Sequence, residues 1–271
     1  MTVTKTGAGT QELNGNSSFS GGLNIQAGTI RYYSGSHANA FGAAGNVITF
    51  TGNATLHNND GAYTLARSIA VNNGVTATLS GAFGESTNIT GAVTGAGDVK
   101  IAGGSNGWAV TMSNTANTLS GIIWVSSNSG QNTSLSMNSL ADGASSGKNL
   151  KLGIGGETAD FSLGGGLSSP VVLNTRQIEL SGTTGAISFK NNAASAANIV
   201  TINTNLAVTT NGAKTFTLGG SNTGANTFAQ RITDQSTNAT SLTKTGAGSW
   251  TINNNASTFT GTTTVSAGTL A

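Results

Sequence analysis

The last thirty residues of the chain repeat the sequence pattern of its first thirty. Residues 3–30 read VTKTGAGTQELNGNSSFSGGLNIQAGTI, and residues 242–271 read LTKTGAGSWTINNNASTFTGTTTVSAGTLA. With one residue of slippage before the phenylalanine, the shared positions are Lys5/Lys244, Gly7/Gly246, Gly9/Gly248, Phe19/Phe259, Gly21/Gly261, Ala27/Ala267 and Gly28/Gly268. A short repeated unit cannot bury its apolar face alone, so it stacks on its neighbours. The repeat therefore predicts a stacked architecture.

A looser third copy starts near residue 92, between copies that start near residues 3 and 241, the last of them partial. Its matched positions are Gly95, Gly97, Val99 and Ile101, followed by Leu119, Gly121 and Val125 in the places of Phe259, Gly261 and Val265. The interval from Gly97 to Gly121 is twice the interval from Gly9 to Gly21. The difference predicts an insertion of roughly eleven residues around 105–114 in a single domain that spans residues 1–271.

Apolar residues alternate with polar ones in short runs such as residues 46–58, and Asn and Gly separate the runs. This period of two is typical of strands, and no stretch shows the spacing of an amphipathic helix. An antiparallel sandwich and a parallel solenoid both fit such strands. The repeat favours the solenoid, because the same inward and outward pattern returns coil after coil. The sequence thus predicts an all-β, right-handed parallel β-helix of about a dozen coils with essentially no helix.

The composition excludes several classes of protein. The chain has no Cys, which rules out disulfides and thiolate chemistry. Only 7% of its residues are charged and the net charge is +2, without a basic cluster, so we expect no nucleic-acid partner. No apolar run is long enough for a spanning helix, and we expect no membrane insertion of this segment. We also expect any secretion signal to lie outside the chain, because Met1 leads directly into TVTKTGAG.

Residues suited to catalysis or metal binding are few. His37 and His57 are the two histidines, both in loop-like contexts, and they predict no metal site. Glu157 and Asp160 are the acids that lie close together in sequence. The glycines of TKTGAG lack the Lys-Ser/Thr of a phosphate-binding loop. We therefore predict no cofactor, no metal site, no catalytic residues and no enzymatic function.

Several short motifs carry a family resemblance: TKTGAG, the endings AGTI and AGTL, and the turns SFSGG and TFTGT. They resemble the autotransporter-associated β-strand repeat of bacterial autotransporter passenger domains. The resemblance implies a right-handed parallel β-helix that is exported across the outer membrane by a separate C-terminal barrel. It also implies display at the cell surface, most often as an adhesin or a stalk. The expected location is extracellular or on the cell surface, with the outer-membrane anchor in a part of the protein outside this chain.

The sequence leaves three functions open. The first is a surface-displayed or secreted structural or adhesive β-helix. The second is the repeating unit of a self-assembling extracellular fibre, because the opening phrase returns at the end of the chain. The third is a carbohydrate-active β-helix of the tailspike or lyase type, which two carboxylates facing each other across a groove would favour.

An apolar pair on the outside of the third copy is the candidate partner site. If Ile123 and Val125 point inward, the alternation turns Ile122 and Trp124 outward. The predicted insertion carries Trp108 just upstream. Either the insertion folds down and covers Ile122 and Trp124, or the three residues form an exposed aromatic platform for a glycan or a host or cell-surface protein.

The two ends of a parallel solenoid carry strands without a partner on one side. Here these axial edges are expected at Val3 and Leu13 near the start of the chain, and at Val265 and Leu270 near its end. Bare strand edges recruit other chains. Because the first coil resembles the last, we predict head-to-tail self-association of the chain.

Overall fold

A computed structural model describes residues 1–33, 39–59, 61–82, 84, 86–104, 107–127, 131–184 and 186–271. In these residues the chain forms 29 strands and no helix. No segment of the described chain therefore has the length and hydropathy of a membrane-crossing helix.

The strands are short and span two to six residues each. In the first third of the chain they are β1 (Val3–Lys5), β2 (Thr10–Leu13), β3 (Leu23–Ile25), β4 (Gly28–Tyr32), β5 (Val47–Phe50), β6 (Ala54–Asn58), β7 (Tyr63–Leu65), β8 (Ser68–Val71), β9 (Thr76–Gly81) and β10 (Ser86–Ile89). The middle contains β11 (Val93–Gly95), β12 (Asp98–Gly103), β13 (Trp108–Met112), β14 (Thr118–Leu119), β15 (Ile123–Ser127), β16 (Thr133–Met137), β17 (Leu150–Leu152), β18 (Ala159–Leu163) and β19 (Val171–Leu173). The last third contains β20 (Ile178–Leu180), β21 (Ala186–Asn191), β22 (Val200–Ile202), β23 (Ala207–Val208), β24 (Lys214–Gly219), β25 (Asn226–Phe228), β26 (Thr240–Lys244), β27 (Ser249–Ile252), β28 (Thr263–Val265) and β29 (Thr269–Leu270).

These strands form four sheets in which neighbours come from successive coils. Sheet A is β1-β3-β5-β8-β11-β14, sheet B is β2-β4-β6-β9-β12-β15-β17-β20-β23, sheet C is β7-β10-β13-β16-β18-β21-β24-β26-β28, and sheet D is β19-β22-β25-β27-β29. Every pairing between the described strands is parallel, and an isolated antiparallel bridge joins Gln235 and Asn238. The predicted all-β parallel solenoid is confirmed.

Sheets B and C each stack nine strands, and sheets A and D together contribute 11 strands to one side, so the solenoid has about nine to eleven turns against the dozen predicted. The coil length varies along the chain. Val3 pairs with Leu23, whereas Ile187 pairs with Phe216, so the later coil is nearly half as long again as the first.

Each complete turn has three sides. Strands of sheet A follow sheet C and precede sheet B, and strands of sheet D take the same place in the later coils, for example β19 between β18 and β20. We therefore name the sides A/D, B and C. In the described residues before β7, side C carries no strand, and side B carries none after β23.

Every second residue of most strands is buried in the core, as the alternation predicts. Phe161 and Phe189 stack in successive coils of sheet C with ring centroids 5.3 Å apart, and the ring of Phe189 meets Trp250 at 6.0 Å. All three side chains are fully buried. Burying a large apolar side chain contributes about 1.5–3 kcal/mol, so inward side chains of this kind stabilise the stacking of successive coils.

A buried arginine joins sheet A to sheet D. The side chain of Arg176 is fully buried, and its guanidinium donates to the carbonyl oxygens of Leu119 (2.9 Å), Gly121 (2.8 Å) and Ala141 (2.9 Å). These acceptors belong to the last coil of sheet A and the segment that follows it. Burial lowers the pKa of Arg176 to about 10, with the negative charges of Asp142 and Asp98 opposing the shift, so the group is protonated at neutral pH.

Asp142 fixes the other half of this junction. Its carboxylate accepts hydrogen bonds from the backbone N–H groups of Asn174 (2.9 Å), Thr175 (3.0 Å) and Arg176 (2.6 Å), which follow β19. Desolvation raises the pKa of Asp142. The hydrogen bonds from these three backbone N–H groups and from that of Gly143 together lower the pKa by more, so the net pKa lies below its ordinary value. Between β14 and β19, one coil has no strand on this side of the solenoid, and charge-assisted hydrogen bonds hold that segment in place.

The repeated motif forms a corner that involves two successive coils. The Lys5 ammonium donates to the carbonyl oxygens of Thr6 (2.6 Å), Gly7 (2.6 Å) and Ala27 (3.1 Å), and Ala27 lies one coil later. Gly28 has a φ of +72°, and a Cβ there would lie 2.4 Å from the carbonyl oxygen of Gly7. The motifs KTGAG and AGT occur together in both copies because they are in contact in the folded chain.

The second copy has the same corner. Lys244 donates to Thr245 (2.7 Å), Gly246 (2.8 Å) and Ala267 (3.1 Å). Gly268 has a φ of +71°, and a Cβ there would lie 2.4 Å from the carbonyl oxygen of Gly246. The two copies differ in burial, because Lys244 is fully buried and Lys5 is half-buried.

The predicted insertion at 105–114 does not exist as an added loop. Its described part contains β13, a regular strand of sheet C whose Trp108, Val110 and Met112 point into the core. A Cβ on Gly121 would lie 2.0 Å from the carbonyl oxygen of Gly97, so Gly121 stacks directly on Gly97. The stretch between the two glycines is one whole coil. Gly121 occupies the corner that Gly28 occupies in the first copy, so the matched second half of the third copy was placed one corner too late.

Candidate functional site

An outward-facing column of side chains runs along sheet B. The strand registers place in this column Thr10, Thr29, Thr55, Thr78, Lys100, Trp124, Lys151, Glu179 and Ala207. Its first four members are threonines, whose side chains stack identically in a parallel ladder. The column then changes to charged and aromatic residues over the three coils around Trp124, which singles out this part of the surface.

Trp124 lies half-buried on the outer face, between two lysines. Its indole Nε1 donates to the carbonyl oxygen of Gly153 at 2.9 Å, which fixes the orientation of the ring. The Lys100 Nζ lies 4.7 Å from the ring centroid and the Lys151 Nζ lies 5.8 Å from it. Both distances fit cation–π contacts. The coil before and the coil after Trp124 thus each place a cation beside the indole.

The charges around the indole are only partly neutralised. Lys151 pairs with Glu179 at 3.3 Å, and Lys148 pairs with Asp98 at 3.1 Å. Among the described residues, no carboxylate lies within ion-pair distance of Lys100. We name the exposed region around the indole the Trp124 patch. Its members are Lys100, Ile122, Trp124, Lys148 and Lys151.

The structure brings together two of the three residues predicted for a partner site. Trp124 is half-buried on the outer face of sheet B, as the alternation predicted, and Ile122 is half-buried just before β15. Trp108 lies elsewhere, because it faces the core from sheet C and only 4% of it is exposed. It therefore neither covers Ile122 and Trp124 nor extends the platform. Its buried Nε1 has no hydrogen-bond partner among the described residues.

We expect the stability effects of changing Trp108 and Trp124 to be additive. Trp108→Phe leaves a small cavity and should cost about 1–2 kcal/mol, and Trp124→Ala should cost about 1 kcal/mol through its lost cation–π and hydrogen-bonding contacts. Urea unfolding of the single and double variants gives the coupling free energy, expected within about 0.5 kcal/mol of zero. Trp124→Ala with Lys100→Ala is the coupled control pair. A coupling above about 1 kcal/mol between the two tryptophans would contradict this geometry.

The histidines do not form a metal site in the described structure. His37 lies outside the described residues. His57 is half-buried on the outer face of sheet B, with its Nδ1 2.8 Å from the hydroxyl of Ser80. Burial lowers the pKa of His57, the charge of Arg31 lowers it further, and a hydrogen bond with Asn59 opposes the shift. The described residues contain no group of three or more metal-ligating side chains.

Glu157 and Asp160 have different local roles. Glu157 is buried, and its carboxylate accepts the backbone N–H groups of Ile154 (2.5 Å) and Gly155 (2.7 Å), so it closes the turn before β18. Asp160 points outward from β18, accepts a hydrogen bond from Ser188 and pairs with Lys190 at 3.3 Å. Each carboxylate thus has partners within the fold.

The four predicted axial residues lie on terminal strands. Val3 and Leu13 belong to β1 and β2, the first strands of sheets A and B. Val265 and Leu270 belong to β28 and β29, the last strands of sheets C and D. Val265 is 53% exposed, a large fraction for an apolar side chain on the inward phase of a strand.

Sequence reasoning missed the lysines of the Trp124 patch. The interval from Lys100 to Trp124 is shorter than the interval from Trp124 to Lys151, so no constant period relates the three residues. Their neighbourhood depends on the register between coils. If the coil lengths had been known, comparing the outward residues of successive strands of sheet B would have identified both lysines.

Comparison with known proteins agrees with the repeat and the fold. A family model of the Passenger-associated-transport-repeat matches residues 3–31 and 242–271. The "Adhesin BmaC autotransporter" of Brucella suis biovar 1 (strain 1330) is 33% identical over 264 residues, which cover 91% of this chain and 7% of that relative. No solved structure matches the chain. Residues 3–31 and 242–271 are therefore two copies of the autotransporter-associated repeat, and the chain that carries them is a β-solenoid similar in sequence to a segment of an autotransporter adhesin.

Proposed function

We propose that this chain is an adhesive segment, displayed at a cell surface or secreted, whose Trp124 patch binds an acidic saccharide. The observation that carries the proposal is the half-buried indole held between Lys100 and Lys151 on a column whose first four members are threonines. The name of the relative describes an adhesin, which supports adhesion rather than catalysis. Display at a surface or secretion follows from the same relationship.

The chemistry of the patch favours an acidic ligand. An indole offers apolar contact to the faces of sugar rings, and an ammonium group binds carboxylate or sulfate. Lys100 has no carboxylate at ion-pair distance in the described chain, so a ligand anion would supply its first such partner. Counting Lys100, Lys148 and Lys151 against Asp98 and Glu179 leaves one net positive charge. That charge attracts polyanions without holding them by electrostatics alone.

We expect the chain to bind immobilised heparin or polygalacturonate and not neutral dextran. Trp124→Ala and Lys100→Ala should each weaken binding about three- to tenfold, because each removes a contact of roughly 1 kcal/mol. Biolayer interferometry at two salt concentrations measures both the affinity and its electrostatic part. Binding should weaken as salt rises, since exposed charges are screened.

Lys190→Ala is the matched control for this experiment. Lys190 is a lysine on sheet C with 33% side-chain exposure and an ion pair to Asp160, which closely parallels Lys151 with 29% exposure and its pair to Glu179. Its replacement should leave binding unchanged. Equal binding of the Trp124→Ala variant would move the site elsewhere, and absence of binding to either polyanion would reject an acidic saccharide.

A further inference from the structure

A surface groove adjoins the Trp124 patch on the outer face of sheet B. The groove has a volume of about 420 Å³, and its lining includes Thr29, Thr55 and Thr78 of the outward column described above. The strand register places Thr78 beside Lys100, a member of the Trp124 patch. The groove and the patch therefore form one strip along the solenoid axis, over the successive strands β4, β6, β9, β12, β15 and β17.

The three threonine hydroxyls of the groove are free to bind a ligand. The described chain contains no hydrogen-bond partner for the Oγ1 atom of Thr29, Thr55 or Thr78. Each of the three side chains is only half-buried, so its hydroxyl reaches solvent. A hydroxyl both donates and accepts hydrogen bonds, as the hydroxyl groups of a sugar do. The groove thus offers one such group on each of three successive coils.

The groove carries no negative charge that would repel an acidic ligand. Its three strands, β4, β6 and β9, are described in full and contain no Asp or Glu. The next outward column of sheet B carries the basic residues Arg31 and His57 on the first two of these strands. Glu12 of the preceding strand in this column is paired with Arg31 at 3.3 Å. An anionic chain that extends from Lys100 over these three strands therefore faces no unpaired carboxylate on them.

We propose that the ligand of the Trp124 patch is a linear acidic polysaccharide that lies parallel to the solenoid axis and continues over Thr78, Thr55 and Thr29. This ligand class rests on the proposed function, because the patch anchors the polysaccharide. Neighbouring strands of a sheet lie about 4.8 Å apart, which is close to the length of one pyranose unit in an extended polysaccharide. The ligand therefore advances by about one sugar per coil.

The strand register gives the length of the contact. Six strands from Thr29 to Lys151 follow one another in register, and at about 4.8 Å per interval they extend over about 24 Å, the length of about six sugars. A terminal acidic sugar on a branched glycan would occupy only the Trp124 patch. The strip thus selects polymers over such terminal sugars.

Galacturonate oligomers of increasing length test this contact in isothermal titration calorimetry with the whole chain. We expect the affinity to rise about tenfold or more from the dimer to the hexamer, because each added sugar gains hydrogen bonds along the strip. From the hexamer to the octamer, we expect a change of less than about twofold, because the strip is then filled. A purely electrostatic attraction would keep rising with chain length and would show no such limit.

Valine variants test the threonines directly, because valine keeps the shape of the side chain and removes only the hydroxyl. In Thr55→Val/Thr78→Val protein, we expect the hexamer to bind about three- to tenfold more weakly and the dimer to bind within about twofold of the parent. Thr217→Val/Thr243→Val is the matched control. These two threonines are half-buried neighbours in register on the outer face of sheet C, and their replacement should leave the affinity for the hexamer unchanged.

The Trp124→Ala variant separates the failure of the extended contact from the failure of the patch. Equal affinities of dimer and hexamer, both weakened by Trp124→Ala, would leave the patch as a saccharide site and overturn the extended contact. Unchanged hexamer binding by Thr55→Val/Thr78→Val protein would also overturn it. If no oligomer binds, or if binding is insensitive to Trp124→Ala, the proposed function itself is wrong, and the extended contact fails with it.

Discussion

Replacing Arg176 by Met is expected to destabilise the chain by about 3–5 kcal/mol, because it removes a fully buried charge and its hydrogen bonds to backbone carbonyl groups. The guanidinium serves Leu119, Gly121 and Ala141 at 2.8–2.9 Å, and the side chain is fully buried. Met has a similar length and fills part of the volume, so the loss reflects hydrogen bonds and charge more than packing. Urea unfolding followed by tryptophan fluorescence measures the change.

Arg31→Met is the matched control. Arg31 is also an arginine with an acidic neighbour, but its side chain is 37% exposed and its ion pair with Glu12 is 3.3 Å long at the surface. Exposed pairs of this kind contribute little, and the change should cost less than about 1 kcal/mol. If the two variants are equally stable, the junction does not depend on Arg176.

Hydrogen exchange should show that the effect of Arg176→Met is local. Each coil of a solenoid contacts only its neighbours, so lost interactions spread over few turns. We expect faster exchange in the segment between β14 and β19, where sheet A gives way to sheet D. The terminal repeats at 3–31 and 242–271 should keep their protection. Uniform loss of protection would indicate a single cooperative unit instead.

The architecture could be predicted because it depends on local patterns. Alternation gives the phase of each strand, and it correctly turned Trp124 outward and Val125 inward. The repeated phrase indicated parallel stacking, since antiparallel strands would not return the same pattern at every coil. The corner made by Lys5 and Gly28 explains why those two separated motifs occur together.

The register between coils could not be predicted, and the errors all follow from it. A glycine that follows Gly97 in the sequence can lie at the next corner of the same coil or stack on Gly97 one coil later. The sequence around Gly121 does not distinguish these two positions. Choosing the wrong partner turned a regular strand into an insertion and placed Trp108 on the outside. The neighbours of Trp124 were missed for the same reason. Arg176 gave no signal, because a single arginine in the sequence does not indicate which carbonyl groups it contacts.

Lys244→Met is expected to cost about 2–3 kcal/mol, and Lys5→Met less than about 1 kcal/mol, although the two lysines make the same three hydrogen bonds. The difference is burial. Lys244 is fully buried, so Met in its place removes an ammonium that the fold encloses, together with its hydrogen bonds to the carbonyls of Thr245, Gly246 and Ala267. At the half-buried corner of Lys5, water can take the place of the ammonium.

The two variants form an internal comparison, since motif, contacts and substitution are matched and only the number of covering coils differs. Urea unfolding of both gives the ratio directly. Equal losses would show that the corner geometry alone sets its strength.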